Sequence, residues 1–354
     1  MPDENKGKLP TIADYWDGRA YFHNYYNETP GGSAGLDIVV ANGAWYRFDR
    51  FQTGNDPATG VHLLGTQVRK STDKGMSWSA PAIVAAPEVK GTAWYICATD
   101  SSAYYDGNKW RILFQSMEEA DDRKNVRWDL SYLECDGPDP MNGKWHTPDG
   151  IVNPVTHNGD IWNQIAVGDN DCTRITGGQK LVYDEGTPKI IVEDGIIYVT
   201  FHGASNTNNT IYGYRGIATT ADFKTFTKAA DDAIFDCYDA KDWNVDWVET
   251  GSVGGGHAVY LKEGEYWYTM IESPDVSLAC VPDQHWTFGM LRSKSLTDTK
   301  WENWKDNPVP EFAPTGAYVA EWVYTALWKD EGVTYLAATH TVTNTYKQYR
   351  LEWK

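Results

Sequence analysis

The sequence predicts an all-β fold, a five-bladed β-propeller built from four-stranded antiparallel blades. Three observations carry this: one hairpin pattern occurs five times, its copies are nearly evenly spaced, and helical periodicity is scarce. Each copy has a polar or acidic start, an apolar strand, a turn with glycine and then an aromatic strand. The copies begin at Leu36, Ala98, Glu185, Gly256 and Trp322. Their turn glycines, Gly43, Gly107, Gly195, Gly264 and Gly332, stand 64, 88, 69 and 68 residues apart. Asn-Gly, Asp-Gly or Glu-Gly between alternating aromatic and aliphatic residues is a strong short-range hairpin signal. No stretch between the copies sustains a 3.6-residue apolar period. A sandwich would also contain hairpins, but it would not repeat the same start, strand and turn five times. The whole chain, residues 1–354, therefore reads as one propeller, with about residues 1–30 as an N-terminal extension or closing segment.

The later part of each blade carries a fainter repeat. Ser71-Thr72-Asp73-Lys74-Gly75-Met76-Ser77-Trp78 fits the S-x-D-x-G-x-[ST]-W "Asp box" in full. Its Asp caps a tight turn, its Gly permits a positive φ and its Trp packs between strands. Looser counterparts begin at Ala218 and Arg292. These read as outer hairpins whose carboxylates are structural.

Composition excludes several function classes. Hydrophobic residues make up 41% of the chain, enough for a core, and 17 Trp and 22 Tyr stand out. Such rings suit half-buried strands, and they also suit sugar surfaces, where C–H faces stack on them. A formal net charge of −18 with no Lys/Arg cluster argues against nucleic acid and anionic membrane surfaces as partners. The five cysteines, Cys97, Cys135, Cys172, Cys237 and Cys280, show no zinc spacing and no dense disulfide framework. No apolar run approaches the roughly 18 residues of a membrane span. The chain opens without a signal peptide's hydrophobic core, yet its Trp-rich, acidic make-up leads us to expect a secreted or periplasmic protein whose signal has been removed.

In a propeller the innermost strand of each blade runs along the central channel, so the strand starts converge at one end of the axis. Here those positions hold Asp37, Asp100, Glu185, His257 and the Glu321-Trp322 pair. Buried carboxylates without partners are expensive, which makes a cluster of them a functional-site candidate. Carboxylates ringed by aromatics suit glycosidic bond cleavage. One acid must be protonated to donate to the leaving oxygen, while another stays ionised to activate water or attack carbon. Crowding of like charges separates their pKa values. Long inter-blade segments supply further candidates: Asp160, Asp242, Asp246 and Glu249, and sugar platforms Trp162, Trp243 and Trp247. Trp322, Trp94 and Tyr95 have the same ambiguity between platform and core. No cofactor is required and no metal-ligand spacing is present; a calcium ion held through waters in the channel is the one metal left open.

At these residues the sequence resembles the five-bladed glycoside hydrolases of family 43 and its relatives, the arabinofuranosidases, xylosidases and anhydrogalactosidases. The resemblance implies a general base at Asp37, although Ile38 stands where that group commonly has Pro. It implies that Asp100, in Ala98-Thr99-Asp100-Ser101, orients the acid and tunes its pKa. Glu185, in Glu185-Gly186-Thr187-Pro188, would be the general acid, and Gly256-His257 matches a pair near the channel. The implied function is hydrolysis of a terminal sugar from a plant or algal oligo- or polysaccharide, with inversion. His257, Trp162, Trp322, Glu321 and Trp94 would line the substrate site, and the protein would act as a monomer.

Rival classes fit less well. A sialidase needs three arginines on the substrate carboxylate, a Tyr nucleophile and six blades. Arg19, Arg47, Arg50 and Arg111 could bind an acidic sugar, but none occupies a strand-start position. A non-catalytic carbohydrate-binding propeller would need no axial carboxylates. A polysaccharide lyase would have only His257 with a nearby Tyr as its acid and base.

Overall fold

The computed structural model describes residues 7–29, 35–57, 60, 62–119, 125–156, 180–207, 210–230, 233–235, 257–274, 286–312 and 322–354. A short helix, α1 (Ile12–Trp16), opens with a capping box between Thr11 and Asp14 and leads into β1 (Ala20–Glu28). The first blade is β2 (Asp37–Ala41), β3 (Ala44–Asn55), β4 (His62–Ser71) and β5 (Ala82–Ala85). The second is β6 (Cys97–Tyr105), β7 (Lys109–Glu119), β8 (Asn125–Asp136) and β9 (Trp145–His146). The third is β10 (Lys180–Glu193), β11 (Ile196–Thr207), β12 (Thr210–Thr220) and β13 (Phe226–Lys228). The fourth is β14 (Ala258–Glu263), β15 (Tyr266–Pro274), β16 (Trp286–Ser293) and β17 (Glu302–Asn303). The fifth is β18 (Trp322–Asp330), β19 (Val333–His340) and β20 (Thr345–Trp353), with β1 as its outer strand. Each blade is an antiparallel meander, and the expected five-bladed propeller of four-stranded blades is what the chain forms.

Turn chemistry explains the hairpins. Asn42-Gly43, Asp194-Gly195 and Glu331-Gly332 each close a two-residue loop with positive φ at both positions, the geometry that matches strand twist. Between β4 and β5 the Asp box folds locally. Asp73 Oδ1 accepts from Ser77 N at 2.9 Å, and Ser71 Oγ accepts from Gly75 N at 2.8 Å. Its carboxylate is a turn cap, as the pattern suggested.

Closure of the ring joins the two ends of the chain. β1 pairs with β20 from Ala20↔Trp353 to Glu28↔Tyr346, so the N-terminal strand completes the blade made by the C-terminal ones. Arg47, fully buried, rivets this junction. Its Nε donates to Asp49 at 2.8 Å and its Nη1 to Glu28 of β1 at 2.7 Å. Its guanidinium lies 4.8 Å from the ring of Trp78 and 4.4 Å from that of Tyr346. Gly75, at φ +80°, lies so close to Gln348 of β20 that an added Cβ would come within 2.5 Å of its Oε1. Cys97 and Cys135 are buried free thiols.

Three inner strands carry the same irregularity. In β6, β10 and β18 the register slips between Thr99 and Ser102, Gly186 and Lys189, and Val323 and Thr325. Each slip is a bulge that leaves one extra residue on the inner strand. Each also contains a non-glycine residue with positive φ: Asp100 at 51°, Thr187 at 39° and Tyr324 at 50°.

Replacing Arg47 with Ala would take from the buried Asp49 its nearest cation, leaving it the Gln67 amide at 2.7 Å and Arg69 at 3.9 Å. We expect a loss of about 3–5 kcal/mol in urea unfolding, with earlier protease cleavage within 20–28. An unchanged midpoint would show that the stacked cation does not hold the junction.

Candidate active site

In each of the three bulges a polar side chain from the second strand of the preceding blade holds the strained residue. Arg50 of β3 donates Nη2 to Asp100 Oδ1 at 2.6 Å and Nε to Thr99 Oγ1 at 3.1 Å. Gln115 of β7 accepts the Thr187 N–H on Oε1 at 3.2 Å. Glu272 of β15 accepts the Tyr324 N–H on Oε1 at 2.6 Å and the His257 N–H on Oε2 at 2.9 Å. Arg50 Nη2 also donates to the Tyr324 hydroxyl at 2.8 Å, which links Asp100 to the fifth blade. Thr187 receives further bonds from Arg215 of β12, through its carbonyl at 2.8 Å and its hydroxyl at 3.1 Å. Its hydroxyl also bonds His202 Nδ1 at 2.9 Å.

Asp37 begins β2 on the first blade and is deeply buried. Its Oδ1 accepts from Lys189 Nζ at 2.5 Å and from Ile38 N at 3.0 Å. Its Oδ2 accepts from Ser102 Oγ at 3.1 Å and Ala103 N at 2.9 Å. Both oxygens are therefore engaged, and Asp37 ties the first three blades together. Asp100 differs, because among the described residues none donates a hydrogen bond to its Oδ2. Gly35, at φ +68°, backs onto it so closely that a Cβ would come within 2.6 Å of Asp100 Oδ1.

Burial sets the charge of two channel groups in opposite directions. Glu272 is pushed up to about 7, first by desolvation; the N–H groups of His257 and Tyr324 oppose this, the Asp100 charge adds to it and Arg215 opposes it. His257 is pulled down to about 3 by desolvation, then by the charges of Lys189 and Arg215, against a smaller upward pull from the Thr325 backbone. It is buried, and among the described residues neither ring nitrogen has a hydrogen-bond partner of good geometry. Both groups are thus mainly uncharged between about pH 4 and 6.

The structure links Asp100 to His257 through Arg50, Tyr324 and Glu272, and ties Asp37 to Lys189 and Ser102. Glu185 starts the described pairing of β10 with β11, opposite Gly203, and immediately precedes the Gly186-Thr187 bulge. Trp322 and Trp94 are core residues instead of open platforms. Trp322 packs on Phe312 at 5.1 Å under the Lys347 ammonium, and Trp94 packs edge-on to Phe114 at 5.4 Å. Tyr95 bonds Asp56 at 2.7 Å. Glu321, Trp162, Trp243, Trp247, Gly256, Asp160, Asp242, Asp246 and Glu249 lie outside the described residues. Of the four arginines considered for an acidic sugar, Arg50 reaches this site. Arg19 pairs with Asp14 and Asp17, Arg111 with Asp106 and Glu134, and Arg47 with the ring junction. The sequence reading missed Glu272, Tyr324, Gln115, Lys189 and Arg215. One signal was available: Gln115 and Glu272 each stand eight residues after their turn glycines, Gly107 and Gly264. Among the described residues no group of three His, Cys, Asp or Glu is placed to hold a metal ion.

No protein-family profile and no curated protein matches the chain by sequence. Solved structures do match it by fold. One described as a glycoside hydrolase superposes with a TM-score of 0.60 at 12% identity, covering 96% of this chain and 94% of its own. An α-L-arabinofuranosidase from Lactobacillus brevis gives 0.56 at 15% identity, covering 91% of each chain. A Cellvibrio cellulosa α-L-arabinanase complexed with arabinohexaose gives 0.50 at 12% identity, covering 91% of this chain and 93% of its own. The chain has the fold of the β-propeller glycoside hydrolases. At such identities the likeness speaks to the fold alone.

The two neutral groups make opposing predictions. The folded state holds an extra proton on Glu272 between about 4.5 and 7, so this group's contribution to stability falls as pH rises through that window. The folded state keeps a proton off His257 between about 3 and 6.5, so that contribution falls as pH drops through it. Urea midpoints of Glu272→Gln should therefore gain on wild type from pH 5 to 8, by about 2–3 kcal/mol. Those of His257→Asn should gain as pH falls from 7 to 4. Parallel pH curves for wild type and both variants would refute these assignments.

Proposed function

We propose that the protein is a glycoside hydrolase that removes a terminal sugar from plant or algal oligo- or polysaccharides. The observation that carries this reading is Asp100, a buried carboxylate on a strained bulge at the channel. It is held at one oxygen by Arg50 and takes no bond from a described residue at the other. Strain of this kind persists where the surroundings over-determine it, commonly at functional sites. The fold supports the same class, since the structures that match it include named glycoside hydrolases.

Glu185 is the proposed general acid, protonating the leaving oxygen as the glycosidic bond breaks. Its position one residue before the Gly186-Thr187 bulge supports this, as does its Glu-Gly-Thr-Pro context. Water activation falls to Asp100, whose second oxygen has no protein donor among the described residues. Asp37, with four donors, serves by holding Lys189 and the first three inner strands in register. Inversion follows if the acid and base stand roughly 6.5–9.5 Å apart, leaving room for the water. His257 offers its ring nitrogens to a sugar hydroxyl, and burial keeps it neutral. Polymeric substrates of this kind are met outside the cytoplasm, which supports a secreted or periplasmic location.

The test is a screen of wild type, Glu185→Gln and Asp100→Asn against aryl α-L-arabinofuranosides, β-D-xylosides and galactosides, and plant and algal oligosaccharides. Wild type should cleave at least one. Glu185→Gln should lose about a hundredfold or more on natural leaving groups and far less on activated aryl groups, where no proton is needed. Asp100→Asn should lose activity on both. Binding without cleavage by wild type would make this a carbohydrate-binding propeller.

A further inference from the structure

Gln115 and Glu272 do the same work at equivalent places. Each stands eight residues after its turn glycine, on the second strand of its blade. Each uses one side-chain oxygen to accept the N–H of the strained residue on the next blade's inner strand, Thr187 in one case and Tyr324 in the other. An amide suffices for this at Gln115. The fourth blade has a carboxyl, whose second oxygen also accepts the His257 N–H, so an amide there would keep the Tyr324 bond but forgo both the His257 bond and the charge. The difference between the two sites lies in what surrounds them. Glu272 is buried; His257 at the start of its own blade and Tyr324 from the fifth donate their N–H groups to it, and the charges of Asp100 from the second blade and Arg215 from the third act on it more weakly. The Tyr324 hydroxyl in turn accepts from Arg50, the guanidinium that holds Asp100.

We propose that Glu272 is a positioning residue for the reaction at Asp100: it fixes Tyr324, whose hydroxyl anchors Arg50, and its own charge state is coupled to that of Asp100. The proposal deepens the hydrolase reading and rests on it for the words "the reaction". When Asp100 is ionised, Glu272 is driven to keep its proton, since like charges in a poorly hydrated channel repel. When Asp100 takes a proton from the attacking water, that repulsion disappears and Glu272 is free to ionise near Arg215. The upward shift from burial is consistent with this geometry.

The test has two arms. In the first, protein labelled with ¹³C at the Glu side-chain carboxyls is titrated by NMR, and the Glu272 resonance is assigned by its loss in Glu272→Gln. Its midpoint should fall by about one pH unit in Asp100→Asn. An unmoved midpoint overturns the coupling whatever the protein's activity. In the second arm, Glu272→Gln should fold, because Gln115 shows that an amide can make the bond to the strained residue and only the His257 N–H loses its acceptor, and should bind sugar with KM within about twofold of wild type while kcat drops about tenfold. The alkaline limb of its pH profile should move away from neutrality. A structural clamp alone would leave that limb in place, and such a result overturns the proposal. Tyr324→Phe, which keeps the backbone bond and removes the hydroxyl, should lower kcat by a similar factor, and an unchanged kcat would break the link to Arg50. If wild type cleaves no glycoside, the hydrolase reading fails while the NMR arm still decides the coupling.

Discussion

The polar side chain that one blade extends to the strained inner strand of the next is the contact on which this channel depends. A residue such as Asp100, Thr187 or Tyr324 at positive φ costs about 1–3 kcal/mol relative to an ordinary strand conformation. Its bulge also takes backbone groups out of the ladder, and a buried N–H without an acceptor costs a similar amount again. Gln115 and Glu272 meet both demands at once by accepting the N–H of the strained residue, whereas Arg50 holds its bulge by donating to the Asp100 carboxylate and the Thr99 hydroxyl. The strain is therefore shared around the ring instead of being confined to one hairpin.

Such sharing works only in a closed ring. Arg50 and Tyr324 are 274 residues apart, and Lys189 and Asp37 are 152 apart, so their bonds exist only when all the blades are in register. The pairing of β1 with β20 supplies that closure, and Arg47 makes it specific. The guanidinium joins Glu28 of the first strand to Asp49 of the first blade and stacks on Tyr346 of the last. β1 thereby covers the edge that β20 would otherwise present.

Local features were legible in the sequence, and long-range ones were not. Asn42-Gly43, Asp194-Gly195 and the Asp box at Ser71–Trp78 specify their turns through neighbouring residues, so the blades could be read from their hairpins. Asp37 does begin its inner strand and His257 directly precedes another, but Asp100 and Glu185 lie inside β6 and β10, at or beside bulges that the sequence did not reveal. What could not be read is which oxygen each carboxylate has left to use. Asp37 looks equivalent to Asp100 in the sequence, yet Lys189, Ser102 and Ala103, all distant in the chain, fill its lone pairs. Trp322 and Trp94 failed as platforms because an aromatic at a strand start serves a core equally well, and only the packing of Phe312, Lys347 and Phe114 decides. Glu272 escaped notice because it lies on a second strand, where an acid in Tyr268-Thr269-Met270-Ile271-Glu272 resembles a strand's polar exit.

The charge arrangement of the site follows from the same geometry. The chain as a whole carries −18, but the described channel aspartates are each neutralised by a cation from another strand, Asp37 by Lys189 and Asp100 by Arg50. Burial then removes most of the charge from Glu272 and His257 between about pH 4 and 6, by opposite routes. In a poorly hydrated channel a single uncompensated charge would dominate the local potential. Pairing the aspartates and neutralising the other two groups prevents this, so a small charge change at Asp100 is felt by its neighbours without being swamped by a larger fixed field. That is the electrostatic condition under which one carboxyl can respond to another, and it depends on the inter-blade contacts that hold every partner in place.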